Sequence, residues 1–184
     1  MTVPNQLTIA RMVAVPALIG AFYLAQPYAA FACFALFVAA SLTDFLDGYL
    51  ARKLNQPSEL GRVLDPIADK LIVAAALVML VAFDGASPIA AAAILCRELL
   101  ISGLREALAG RVVLKVTWLA KAKTAVQMIA IAVLLIAPAL GIAEVTLAGE
   151  AALWLAVLLS WASAAGYLRI AFGALVGSGK SGAE

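Results

Sequence analysis

The sequence predicts an all-α, polytopic membrane protein, with six transmembrane helices behind a short N-terminal interfacial segment. Two observations carry that expectation. Of 184 residues, 65% are hydrophobic and 13% charged, where a soluble domain is roughly half apolar and a quarter charged. The apolar residues also gather into six runs, at 7–25, 29–51, 63–83, 88–109, 118–138 and 150–173, each close to the about 20 residues that cross a hydrocarbon core. Residues 1–184 are therefore expected to form a single membrane domain, surrounded by lipid and without a nucleic-acid partner.

Each run has its own marks. The first follows "VPNQLTIAR", which reads as an entry along the membrane surface with Arg11 anchored at the headgroups. Its first basic residue is Arg11 and "YLAQPYAA" is a poor cleavage site, so it does not resemble a removable leader. The second run, with "FACFALFVAA", passes into charged residues, and "KLNQPSEL" after it is a polar stretch of loop character. The third holds "IVAAALVMLVAF" and the fourth a run of alanines suited to close helix packing. The fifth and sixth flank "PALGIAEVTLAGE", which reads as an outer connection. Cys33 and Cys96 fall inside spans, where a buried apolar role is expected and no disulfide is signalled. There is no convincing internal repeat, and no histidine, which removes histidine metal ligands, histidine bases and a phosphohistidine intermediate.

Lysine and arginine orient the chain. With the N-terminus inside, the outer connections "AQPY", "FDGASP" and "PALGIAEVTLAGE" contain none of them. Arg11, Arg52, Lys53, Arg62, Lys70, the residues from Arg97 to Lys123, Arg169 and Lys180 all fall toward the opposite ends. This is the positive-inside pattern. The net charge is only +2, but its one-sidedness places cations opposite anionic headgroups and any anionic substrate on the cytoplasmic side.

Chemistry concentrates in "TDFLDGYLARKLNQPSELGRVLDPIADKL", Thr43 to Leu71. Carboxylates beside a membrane interior are costly and mark function. Asp44, Asp47, Gly48 and Ala51 follow i, i+3, i+4, i+7 spacing, and Gly61, Asp65 and Asp69 follow i, i+4, i+8, so each set forms one helical stripe. Two antiparallel helices can bring the stripes together. Four uncompensated carboxylates would repel and take up protons. Divalent cations would neutralise them, and all-oxygen ligands favour Mg²⁺, Mn²⁺ or Ca²⁺ over zinc. Two such ions form a clamp for phosphoryl displacement. Small Gly48, Ala51 and Gly61 leave room for a nucleotide or pyrophosphate, and Arg52 can reach a phosphate. Single residues also have plainer readings. Asp65 before Pro66 fits a helix N-cap, Asp47 could pair with Arg52 or Lys53, and Asp69 beside Lys70 could be a solvated face.

The pattern D-x-x-D-G-x-x-A-R-x₈-G-x-x-x-D-x-x-x-D, from Asp44 to Asp69, resembles the signature of the CDP-alcohol phosphatidyltransferases without a departure. "VPNQLTIARMVAVP", "LDPIADKLIV", "CRELLISGLRE" and "WLAKAKTAVQMIAIAVLL" extend the likeness to the branch that uses glycerol 3-phosphate. The resemblance implies a homodimeric, six-helix integral membrane enzyme that moves a phosphatidyl group from CDP-diacylglycerol to an alcohol and releases CMP. It implies two divalent cations, Mg²⁺ or Mn²⁺, on Asp44, Asp47, Asp65 and Asp69. It assigns Gly48, Ala51, Arg52 and Gly61 to the CDP part and Asp69 to the general base. The location implied is the inner cell membrane with the site facing the cytoplasm. A carboxylate is the available proton acceptor for a sugar-alcohol hydroxyl in a chain without histidine.

The acceptor is read from a second cationic cluster. Arg105, Lys121, Lys123 and Arg169 lie where the last three runs meet the inner face, and together they suit a doubly charged phosphate such as that of glycerol 3-phosphate. Arg111 and Lys115 read as topological anchors, and Arg97 could instead pair with Glu98. Two other functions compete. A sister transferase would use phosphatidylglycerol, giving cardiolipin, or an inositol phosphate. A small cation transporter would hold its acids near the midplane rather than at one face.

Overall fold

The computed structural model describes residues 3–54, 59–107 and 118–178, with the backbone alone for 3–7, 44–54, 59–66, 120 and 170–178. Six helices follow one another among the described residues: α1 Val3–Ala21, α2 Tyr28–Leu54, α3 Glu59–Ala82, α4 Pro88–Ala107, α5 Trp118–Leu140 and α6 Ala143–Ser178. No strand occurs among the described residues. The all-α expectation holds, and so does the number of helices. Among the described residues, Lys121–Leu140 and Ala143–Arg169 are long and apolar enough to cross a membrane, and Thr8–Ala21 and Tyr28–Thr43 are shorter apolar stretches.

Three boundaries differ from the sequence reading. "VPNQLTIAR" is the start of α1 itself, and Arg11 is buried inside the bundle rather than anchored at headgroups. Asp65 lies within α3, which begins at Glu59, so it is not an N-cap. "PALGIAEVTLAGE" is not an extended connection. Gly141, at φ 64°, ends α5 with its N–H on the Ala137 carbonyl at 3.1 Å, and α6 starts at Ala143. That left-handed residue reverses the chain in so little space that Glu144 and Glu150 fall in the first turns of α6.

The α3–α4 turn is equally tight. Asp84 takes the left-handed conformation at φ 56°, the Gly85 N–H reaches Leu80 O at 2.7 Å, and the Asp84 N–H reaches Val81 O at 3.2 Å. This double closure satisfies the last carbonyls of α3. Ser87 then caps α4, its hydroxyl accepting from Ala90 N at 3.4 Å, with Pro88 at the first helical position. Glu150 of α6 accepts from the Ser87 N–H at 2.6 Å and ties the two helices there. Phe83 packs against Phe22 and Tyr23 at 5.4 and 5.5 Å between ring centroids, joining the ends of α1 and α3.

The helices close into a ring in the order α1, α2, α5, α6, α4, α3, and α3 also touches α2 and α5 across it. Leu18, Phe37, Leu77, Ile94, Ile131, Leu134 and Leu153, drawn from all six helices, form the sealed core. Fully buried Ala76, Ala90, Ala130 and Ala156 let backbones approach closely. At Gly149 a Cβ would stand 2.7 Å from Leu134 Cδ2, so α5 and α6 meet at a side-chain-free position. Large apolar side chains such as Val13, Val78, Leu99, Ile129 and Leu158 point outward, as suits a lipid environment. Cys33 is buried as expected, but Cys96 is exposed on α4. The pairs Arg11–Asp69, Lys70–Ser102, Lys123–Glu98 and Arg105–Tyr167 put the C-terminal halves of α4 and α6 at the same end as the N-terminal halves of α1, α3 and α5, and the C-terminal half of α2, which precedes α3, runs toward that end too. Both the aspartate motif and the basic cluster belong to that end.

Candidate active site

Asp44, Asp47, Gly48, Ala51 and Arg52 lie on α2, and Gly61, Asp65 and Asp69 on α3. The two helices pack against each other. Helical continuity through both segments gives the spacing its meaning, because Asp44 and Asp47, and likewise Asp65 and Asp69, then stand one turn apart. Asp69 is the member of this set whose side chain is described. Arg11 of α1 donates from Nη1 to its Oδ1. Arg11 is 1% exposed, whereas the Asp69 side chain remains 42% exposed. The next residue, Lys70, turns to α4 and donates to the Ser102 hydroxyl. Adjacent residues of α3 thus hold α1 on one side and α4 on the other.

Arg11 was not assignable to a contact from the sequence. Its signal was a lone arginine within an apolar helix, on the face that also carries Thr8 and Leu18 at helical spacing. All three are buried.

The second cluster joins α4, α5 and α6. Glu98 accepts from Arg97 Nη1 at 3.1 Å and from Lys123 Nζ. Arg97 also donates from Nε to the Ser160 carbonyl at 3.1 Å and from Nη2 to Ser163 Oγ at 2.7 Å. Ser163 in turn donates to the same carbonyl at 2.8 Å. Arg97 and Lys123 are 4% and 5% exposed, so both cations sit inside the bundle with their partners. Arg105, an exposed residue, donates to Tyr167 OH at 3.0 Å and lies 5.1 Å from the centre of that ring. Arg97 and Lys123 thus share the one carboxylate of Glu98.

Of the residues expected to take the acceptor phosphate, Lys123 is buried against Glu98 and Arg105 is held by Tyr167. Lys121 and Arg169 are exposed; two positions separate Lys121 from Lys123, about 200° around the helix. The alternative for Arg97 is resolved, because it pairs with Glu98. Glu98 was missed as the shared counter-ion, since nothing in its own helix announces Lys123 as a neighbour. Arg111 and Lys115 lie outside the described residues. The apolar cavity lined by Phe22, Cys33, Leu80, Phe83, Leu134 and Pro138 lies at the opposite end of the bundle and offers no chemistry.

The profile of the CDP-alcohol phosphatidyltransferase family matches residues 1–162. The chain belongs to that family. CDP-alcohol phosphatidyltransferases are in general divalent-cation dependent, and the donor set fits such ions. It consists of hard carboxylate oxygens, paired one turn apart on two packed helices, with the Asp69 carboxylate still accessible. Among curated relatives, a protein of Rickettsia bellii is 46% identical over 159 residues, covering 85% of this chain and 88% of its own length. One of Pseudomonas fluorescens is 42% identical over 171 residues, with 84% and 86% covered. One of Pectobacterium atrosepticum is 38% identical over 174 residues, with 92% and 94% covered. All three carry the name CDP-diacylglycerol–glycerol-3-phosphate 3-phosphatidyltransferase.

Proposed function

We propose that the chain transfers the phosphatidyl group of CDP-diacylglycerol to glycerol 3-phosphate, giving phosphatidylglycerophosphate and CMP. The observation that carries this is the unbroken aspartate signature on two packed helices, in a chain whose relatives of that name align over most of its length. Asp44, Asp47, Asp65 and Asp69 are the residues that would hold two divalent cations, Mg²⁺ or Mn²⁺. Such ions, when bound, neutralise pyrophosphate charge and polarise the phosphoryl group under attack. Gly48, Ala51 and Gly61, as small residues, are assigned to the CDP moiety, and Arg52 to its phosphate.

Asp69 accepts the proton of the attacking hydroxyl of glycerol 3-phosphate. That oxygen forms a new ester bond to the lipid-side phosphorus. The pyrophosphate bond breaks, and CMP leaves with the bonding electrons. Attack is direct, because no side chain suggests a covalent intermediate. Arg105 and Lys123 supply charge-assisted bonds to the acceptor's phosphate, with Lys121 and Arg169 at the exposed edge. Glu98 keeps the inner cations paired until that anion arrives. The same reading makes residues 1–184 one domain whose six helices all cross the inner cell membrane. The motif end faces the cytoplasm, lipid surrounds the bundle, and a second copy completes a homodimer.

The test is CMP release by the purified chain in detergent, from CDP-diacylglycerol, with glycerol 3-phosphate, phosphatidylglycerol and an inositol phosphate supplied in turn. Glycerol 3-phosphate is expected to support turnover at least tenfold better than the others. Preference for either alternative acceptor, or the absence of CMP with all three, refutes the assignment.

A further inference from the structure

Arg11 is a guanidinium 1% exposed within an apolar helix of the bundle. Burying an arginine away from water is expensive, and such residues in membrane helices pair and mark function. Among the described residues Asp69 accepts from it, across from the neighbouring helix α3. The two differ sharply in accessibility, because the carboxylate keeps 42% of its side-chain surface open while the guanidinium is sealed. A pair built only to join α1 to α3 has no need of that asymmetry. Phe22, Tyr23 and Phe83 already fasten these helices at their other ends, and apolar side chains of both share the core.

We infer that Arg11 is a positioning residue, which fixes the side-chain geometry of Asp69 for proton removal from the acceptor. The inference rests on the reading of Asp69 as the base. A helical backbone leaves an aspartate more than one χ1 well and a broad χ2, so the backbone alone does not aim the carboxylate. Arg11 Nη1 takes one carboxylate oxygen from the α1 side and so fixes both torsions while the group stays reachable. Misplacement by about 1 Å at such a group costs on the order of 10²-fold in rate. Thr8, one turn earlier on the same face of α1, is buried as well. Lysine cannot replace it fully, since a compact ammonium lacks the planar, pre-organised donor set of a guanidinium.

The experiment measures CMP release with each substrate varied, for the wild type, Arg11→Gln, Arg11→Lys, Asp69→Asn and the double variant Arg11→Gln/Asp69→Asn. All are purified in detergent and taken as single size-exclusion peaks. Arg11→Gln is expected to lower kcat by roughly 10–100-fold, with both KM values within about threefold of wild type. Arg11→Lys should fall between, at least threefold below wild type and threefold above Arg11→Gln. The double variant should be no more than twofold slower than Asp69→Asn, because an arginine that acts through Asp69 has nothing left to position. If Arg11→Gln does not yield folded protein, Arg11→Lys decides, and wild-type kcat in that variant overturns the inference. Loss that multiplies in the double variant, or raised KM values with unchanged kcat, also overturns it and makes Arg11 a structural anchor. Wild-type kcat in Asp69→Asn removes the base assignment and this inference with it. An inactive Asp69→Asn beside fully active Arg11 variants overturns the inference alone.

Discussion

Glu98 is the most informative residue to remove, because two buried cations share it. In Glu98→Ala, Arg97 keeps two of its three contacts, the Ser160 carbonyl at 3.1 Å and Ser163 Oγ at 2.7 Å. Lys123 loses its carboxylate while remaining 5% exposed, and Arg97, which shared that carboxylate, stays beside it. Removing one partner of a buried pair costs about 3–5 kcal/mol, chiefly through the charge left behind. The reciprocal changes leave less behind. In Lys123→Met, Glu98 is still held by Arg97, and in Arg97→Met it is still held by Lys123. Each of these should cost only the lost charged hydrogen bonds, about 1.5–3 kcal/mol. The expected order of destabilisation is therefore Glu98→Ala first, with Arg97→Met and Lys123→Met behind it. Unfolding in mixed dodecyl maltoside and SDS micelles, followed by far-ultraviolet circular dichroism, reads that order. A Glu98→Ala protein as stable as wild type, or one more stable than Lys123→Met, would refute the shared counter-ion account.

Other outcomes follow from the site and the packing. Chelation with EDTA should abolish CMP release and added Mg²⁺ or Mn²⁺ should restore it, whereas full activity in chelator removes the metal reading. Asp69→Asn should reduce kcat by about 10²–10⁴-fold, the range for losing a general base, with CDP-diacylglycerol binding largely kept in an equilibrium assay. Arg105→Ala or Lys123→Ala should raise KM for glycerol 3-phosphate about tenfold, as the loss of a charged hydrogen bond of about 1.5–3 kcal/mol implies, and leave KM for CDP-diacylglycerol nearly unchanged. Arg111→Ala, at a topological anchor, should alter neither constant. Gly149→Val places carbon where Leu134 Cδ2 already stands at 2.7 Å from an ideal Cβ. It should lower stability by about 1–3 kcal/mol without changing kcat of the folded fraction, since that contact lies at the end of the bundle away from the motif.

The sequence by itself determined the helical class, the six elements to within a few residues at most ends, and the identity of the acids. These are properties of local pattern. Apolar runs of membrane length need no tertiary information, and i, i+4 spacing fixes a stripe wherever the chain is helical. Turn chemistry was less legible. "PALGIAEVTLAGE" is polar enough to pass for a connection, and only the left-handed Gly141 shows that the reversal takes place in so few residues. The tertiary structure alone decided the partners of charged groups. Arg11 and Asp69 are 58 residues apart in the chain, and Lys123 and Glu98 are 25 apart. No periodicity within one helix encodes which residue of another helix it will face. That choice belongs to the ring order of the bundle, with α3 set against α1 and α5 set beside α6. Arg11 therefore read as a headgroup anchor from its position in the sequence. In the folded chain it is buried, because a guanidinium at that depth stays charged by finding a carboxylate on the next helix.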